Sequence, residues 1–446
     1  MGRQFGQGFE GLEERTLLAA NVTATLVGDT LIIDGDATSN NINVFGDGTS
    51  GHVSVNVSGQ TLDVVGGDLV ESNEGVFNGV NNIVVRGNDG DDHVHISDIS
   101  INGNLTAQGG LGADSIALHA DQFDTYIGGG VVLNGGFSLN DDIEVATYGD
   151  GNELTIGGGL AMINHGGTGE LSIAAEYGNV NIGGSVLMNT FSLFGGYGSA
   201  QIRADNQSEV SIGGGVLMNG GVGDDFLGIF AGYGAAGETG TSTGISIAGG
   251  IVMNGGLGDD TEQITAYGFY GEFGHNSKDI EIGGSVQMLG GIGNDLMTVG
   301  GIQANVNIGG NLEMWGGLGD DTIKAFSYGL DYGSAHISGN VLADGSAGDD
   351  WIEAYGIAVD GGALVQAGLG NDNIDLEASR IGAGAWIFGQ AGNDTICSEN
   401  NTVTGSAAVL GGLGFDSAYS SGNEVSGALV VNSIERILDA CPFDQT

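Results

Sequence analysis

Ten glycine-rich acidic turns carry the residues best suited to chemistry. Gly220–Asp225 reads Gly-Gly-Val-Gly-Asp-Asp, and Gly255–Asp260 reads Gly-Gly-Leu-Gly-Asp-Asp. Related turns place a marker glycine at Gly90, Gly112, Gly223, Gly258, Gly293, Gly319, Gly348, Gly370, Gly392 and Gly414. Two residues beyond each marker stands an aspartate: Asp92, Asp114, Asp225, Asp260, Asp295, Asp321, Asp350, Asp372, Asp394 and Asp416. So many equivalent carboxylates are too many for a catalytic dyad. Beside glycine carbonyls they make a donor set for a hard cation. Ca2+ takes six to eight oxygens at about 2.3–2.6 Å, and glycine lets carbonyls converge. A column of bare carboxylates repels itself, and a cation between rungs turns that repulsion into cohesion. The competing reading is a turn whose aspartates only cap the backbone.

The elements that must position these turns follow from their spacing. Gly348, Gly370, Gly392 and Gly414 are 22 residues apart, as are Gly90 and Gly112. The middle steps are 35, 35, 26 and 29 residues, a 22-residue unit with insertions. Between Gly112 and Gly223 the motif degrades, to GGFSLNDD at 135–142 and GGTGEL at 166–171. A 22-residue unit is too short for two packed helices. It suits one coil of a parallel β-helix, with three short strands and three turns. Val216 and Met218 share one face by period-two alternation. The position between them is Leu217, Val252, Gln287 and Glu313 in successive repeats, so it faces outward. Ile323 and Ile374 point inward after the turn. The expected fold is all-β: a right-handed parallel β-helix or β-roll-like solenoid. Stacked coils bury one continuous core that no single coil could bury alone. In the 35-residue coils the register between turns is not guaranteed, which favours the sites between Gly348 and Gly414.

Composition narrows the function classes. The 446 residues include 91 Gly, one Pro (Pro442), and 56 Asp plus Glu against 8 Lys plus Arg, a formal net charge of −48. Such a surface repels nucleic acid and anionic membranes. No segment is long and apolar enough to span a bilayer. Residues 1–18 read as a sorting segment, 19–84 as a strand-rich N-terminal cap, 85–430 as the β-helix and 431–446 as a C-terminal cap. The stretch NNINVFGDG looks like a coil whose Asp has become Asn. Cys397 and Cys441 show no metal-ligand spacing; a disulfide tying down the C-terminal tail and two separate thiols both remain open.

Other side chains recur in phase. Met162, Met188, Met218, Met253, Met288 and Met314 hold one repeat position, read as a core stack because Met fills irregular interiors. Tyr148, Tyr177, Tyr197, Tyr233, Tyr267, Tyr328 and Tyr355 each precede Gly, read as a corner-packing ladder in preference to an exposed row for stacking on sugars. His93 and His95 alternate on one strand, as a metal pair or simply as solvated side chains. Arg86, Arg203, Lys278, Lys324 and Arg380 are scattered with no catalytic motif around them. The chain is therefore read as no enzyme, with a polysaccharide-active β-helix enzyme as the alternative.

The turns GGVGDDFLG, GGLGADSIA, GGLGDDTIK, GGIGNDLMT and GGLGFDSAY match Gly-Gly-x-Gly-x-Asp-x-apolar-x. They resemble the RTX, or haemolysin-type, calcium-binding repeats over roughly residues 85–420. The resemblance implies that Ca2+ is held between stacked turns by the ten aspartates named above and by turn carbonyls. One nonapeptide per coil, where RTX rolls carry two, implies a single ion edge. Residues 12–19, LEERTLLA, resemble the LEPR-XLL motif of exported proteins of planctomycete-type bacteria, with Glu14 where that motif has Pro. The implied protein is extracellular or surface-bound, structural or adhesive. Its expected partners are calcium and cell-surface glycan or matrix components. A calcium-free surface filament or binding module is the remaining alternative.

Overall fold

The computed structural model describes residues 21–443 except 139, 167, 192–195, 206–207, 233–239, 272–273 and 330–334. The LEERTLLA segment and Tyr233 lie outside the described residues. The fold is a parallel β-helix, and no helix occurs among the described residues.

Each coil carries three strands, one on each of three faces. In one 22-residue coil the first face is Ala363–Leu369, the second Asn373–Glu377 and the third Arg380–Ile381. The acidic turn joins the first face to the second. Successive coils pair in parallel without slipping: Ala363 lies opposite Ala385, Ala385 opposite Ala407, and Ala407 opposite Leu429. The 35-residue coils keep the same register, with Met218 opposite Met253 and Met253 opposite Met288. The expected uncertainty of register there is resolved by where the insertion goes. Thr261–Gly271 and Gly274–Ile282 run on past the corner between the second and third faces and pair antiparallel there. The extra residues leave the stack sideways, so the acidic turns stay aligned.

The N-terminal strands begin the stack differently. Asn21–Val27 pairs antiparallel with Thr30–Asp34, and Asn41–Phe45 with His52–Val57. Thr30–Asp34 and Asn41–Phe45 then pair in parallel with Asn82–Asp89 and His93–Ser97. That register puts Asn40 where the next coil has Asp92, so NNINVFGDG is a coil with Asn at the Asp position. At the other end Cys397 and Cys441 are disulfide-bonded.

The core is one apolar column. All six stripe methionines are buried, in register from Met162 to Met314. The tyrosines depart from expectation: Tyr148, Tyr177, Tyr197 and Tyr328 are exposed. Tyr148, Tyr177 and Tyr328 follow the last inward residues of the second face, where the chain has already left the core, while Tyr197 stands just before the second-face strand Gly198–Ala204. Tyr328 leans on Phe326 and Tyr355, with ring centroids 4.8 and 5.2 Å away.

Turn glycines allow close stacking of coils. Gly319 has φ +131°, and a methyl built on it would collide with the carbonyl oxygen of Gly293 in the coil before. Gly319→Ala is expected to lower stability by about 1–3 kcal/mol. A denaturation midpoint unchanged from wild type would show that the turns have slack.

Candidate metal centre

The two residues of each acidic pair do different work. The inner aspartate turns into the coil and is buried: all ten sequence-predicted residues are at most 3% exposed. One carboxyl oxygen of each, Oδ1, accepts a backbone N–H from the coil before. Asp225 N donates to Asp260 at 2.7 Å and Asp260 N to Asp295 at 2.7 Å. Asp295 N donates to Asp321, and Asp321 N to Asp350, both at 2.8 Å. Asp350 N donates to Asp372 at 2.8 Å, Asp372 N to Asp394 at 3.0 Å and Asp394 N to Asp416 at 3.0 Å. Asp92 N donates to Asp114 at 2.8 Å, and Glu435 closes the far end by accepting Asp416 N at 2.8 Å.

Where the outer residue is Asp or Asn it makes a second ladder, running the other way; Ala113 and Phe415 hold the same place and only donate N–H, to Asp91 and Asn393. Asp259 N donates to Asp224 Oδ1 at 3.0 Å, Asn294 N to Asp259 at 2.7 Å and Asp320 N to Asn294 at 2.7 Å. Here the side chain accepts from the coil after it. Asn serves as well as Asp because only one oxygen is used, which explains why the outer position varies.

The structure brings the ten aspartates into two columns. Asp141 extends the first, accepting Asp114 N at 2.9 Å. Gly169 and Gly198 then hold the aspartate position opposite Asp141 and Asp225. Asn164 and Thr190, both buried, pack beside those glycines.

The second oxygen, Oδ2, is the chemically open one. In Asp92, Asp114, Asp141, Asp225, Asp260, Asp295, Asp321, Asp350, Asp372, Asp394 and Asp416 it is buried with no hydrogen-bond partner. It faces the glycine five residues earlier, or six at Asp141, where a Cβ would collide with it. At Gly290, the same space is flanked by Asp295 Oδ2 and the Gly316 carbonyl oxygen of the next coil. Gly87, Gly109, Gly220, Gly345 and Gly389 repeat this arrangement. Asp372 departs from it: Ala367 stands five residues earlier and puts a real methyl at that place.

Two acceptors facing one small space need something positive between them. A hard cation fits the donor chemistry, all of it oxygen. A single rung supplies one carboxyl and one carbonyl oxygen, so a bound Ca2+ would draw on adjoining rungs. A proton on Oδ2, donated to the carbonyl, satisfies the same pair. Burial raises the carboxyl pKa to about 7 in Asp114, Asp225, Asp260, Asp321 and Asp372. In Asp92, Asp295, Asp350 and Asp394 burial raises it to about 6. The backbone N–H bond opposes the shift without cancelling it.

One functional candidate escapes a motif search. Glu262 lies opposite Leu227 and Met297, at a core-facing position, and is fully buried. Its Oε1 accepts Gly255 N at 3.0 Å, and its Oε2 has no hydrogen-bond partner. Burial and the charges of Asp295 and Asp260 push its pKa well above the usual carboxylate range. The signal was present in DDTEQIT, where an acid interrupts an apolar column, but it appears only when the repeats are aligned by face. Asp260, Glu262 and Asp295 together make a cluster of three buried acids on the edge.

No helix among the described residues is long and apolar enough to cross a membrane. Comparison with known proteins assigns no family: no family model matches the chain, and no curated protein matches it in sequence.

Proposed function

We propose that this chain is an exported, calcium-binding structural or adhesive repeat protein, not an enzyme, whose acidic edge is tightened by Ca2+. The observation that carries the reading is the column of buried, unpartnered Oδ2 atoms beside glycine carbonyls. The resemblance of the turns to calcium-binding RTX repeats and the net charge of −48 support it. Asp92, Asp114, Asp225, Asp260, Asp295, Asp321, Asp350, Asp372, Asp394 and Asp416 would supply carboxyl oxygens, with Glu262 adding another. Calcium affinity on the order of 10⁻⁴–10⁻³ M, as in extracellular modules, leaves such sites empty at cytosolic calcium and fills them after export. Glycan or matrix components are the proposed partners, and the exposed tyrosines are the surface for contact.

Thermal melts in calcium, magnesium and chelator test the reading. Calcium should raise the melting temperature by linkage, since unfolded chains have no stacked turns. Magnesium should substitute poorly because it demands a smaller, stricter shell. Glu262→Gln combined with Asp295→Asn should weaken the calcium response more than Asp372→Asn combined with Asp394→Asn. Coincident melts in calcium and chelator would leave a calcium-free filament or binding module as the function.

A further inference from the structure

We propose that His95, His119 and Asp121 form a binding site for a divalent transition-metal ion, with Zn2+ the best match. His95 lies on His93–Ser97 and His119 on Ser115–Ala120, neighbouring strands of the second face. His93, considered in the sequence as a candidate metal partner of His95, is exposed and takes no part. Residues two apart on a strand lie further apart than residues on adjoining coils. His95 Nε2 instead stands 3.1 Å from His119 Nδ1. Asp121 presents Oδ2 at 3.3 Å from His95 Nε2, and Oδ1 at 3.7 Å from His119 Nδ1. Ligands about 2.0–2.1 Å from a tetrahedral ion stand roughly 3.3–3.4 Å apart. The two histidine nitrogens stand close to that separation, and one carboxylate oxygen of Asp121 lies within 4.8 Å of both.

The surroundings hold these donors in place. His119 Nε2 is 3.0 Å from Glu144 Oε2 on the following coil, and Tyr148 OH donates to Glu144 Oε1 at 2.7 Å. With the Nε2 proton donated to Glu144, the Nδ1 lone pair faces the triangle, the arrangement that orients metal-bound histidine. Asp121 is fixed through its backbone: Asp98 Oδ1 accepts N–H from Asp121, Gln122 and Phe123 at 2.9, 3.0 and 3.1 Å. Ala117 lies opposite both His95 and Glu144, and its small side chain leaves room between them. Nitrogen donors set this site apart from the all-oxygen turn edge and favour Zn2+ over Ca2+. His95, His119 and Asp121 are each partly exposed, so an ion can enter from solvent.

Zinc titration by calorimetry on the whole chain tests this. The protein is first stripped with chelator, then held in excess calcium so that oxygen sites do not compete. One equivalent of Zn2+ should bind tightly, and Co2+ in its place should give the visible absorption of a low-coordinate site with nitrogen ligands. His95→Ala or His119→Ala should weaken binding more than about 100-fold, while His93→Ala should leave it unchanged. Glu144→Gln should weaken it about 10–100-fold while binding remains saturable, as expected of a positioning residue. If His119→Ala fails to fold, Asp121→Asn and Glu144→Gln decide. Absence of a one-equivalent site, or equal zinc affinity in wild type and His95→Ala, overturns the proposal.

Discussion

Met253→Asp is expected to lower the urea midpoint far more than Gln287→Asp. Met253 is fully buried, with Met218 before it and Met288 after it in the same column. A carboxylate there has no donor within the apolar stripe, and burying an unpaired charge costs about 4 kcal/mol or more. Gln287 lies on the next coil, opposite Val252 and one position before Met288, and faces outward. Its partner across the coil is Glu313. A new aspartate there meets a like charge, at a cost of about 0.2–1 kcal/mol. Equal midpoints for the two variants would mean that the strand phase is wrong, and with it every inward assignment on the first face.

The strand phase could be read from sequence because methionine and β-branched residues recur with period two at fixed distance from each turn. The three-face coil followed from 22 residues, a length that leaves little room for anything else. Direction and burial at the turn were less legible. A motif marks an aspartate, but it does not say that one oxygen is already committed to a neighbouring N–H. That commitment depends on a residue 22 to 52 positions away, and it appears only once the coils are stacked. The same holds for His95 and His119, separated by 24 residues and brought together by coil-to-coil register. The outer tyrosines were misassigned because Tyr-Gly marks a corner without saying which side of it the ring takes. Glu262 was missed because its neighbours in sequence look like any acidic turn, while its neighbours in space are Leu227 and Met297.

Calcium and protons should compete for the inner edge, and their competition should appear as a pH dependence of stability that calcium abolishes. In chelator, the folded aspartates hold their protons up to about 6 or 7, as at Asp295 and Asp321. In the unfolded chain they release them near pH 4. Over that window the folded state binds more protons, so stability in chelator falls as pH rises from about 4 to 7 and then levels off. Each net proton corresponds to about 1.4 kcal/mol per pH unit. A bound cation favours the charged carboxylate and removes this excess of bound protons, so stability in calcium should stay nearly level over the same window. The two melting curves should nearly meet at pH 5 and separate widely at pH 8. Calcium binding near pH 6.5 should release protons, measurable as a dependence of the calorimetric heat on buffer ionisation enthalpy. The net charge of −48 also relaxes on acidification, but that effect belongs to exposed groups and is screened by salt. The buried part should persist in about 0.5 M KCl, where the Debye length is only a few ångströms. It should shrink when Asp260, Asp295 and Asp321 are replaced together by Asn, which keeps an oxygen for the neighbouring N–H and carries no titrating proton. Flat melting temperatures across this pH range in chelator at high salt would show that Oδ2 is charged and compensated by something other than a proton.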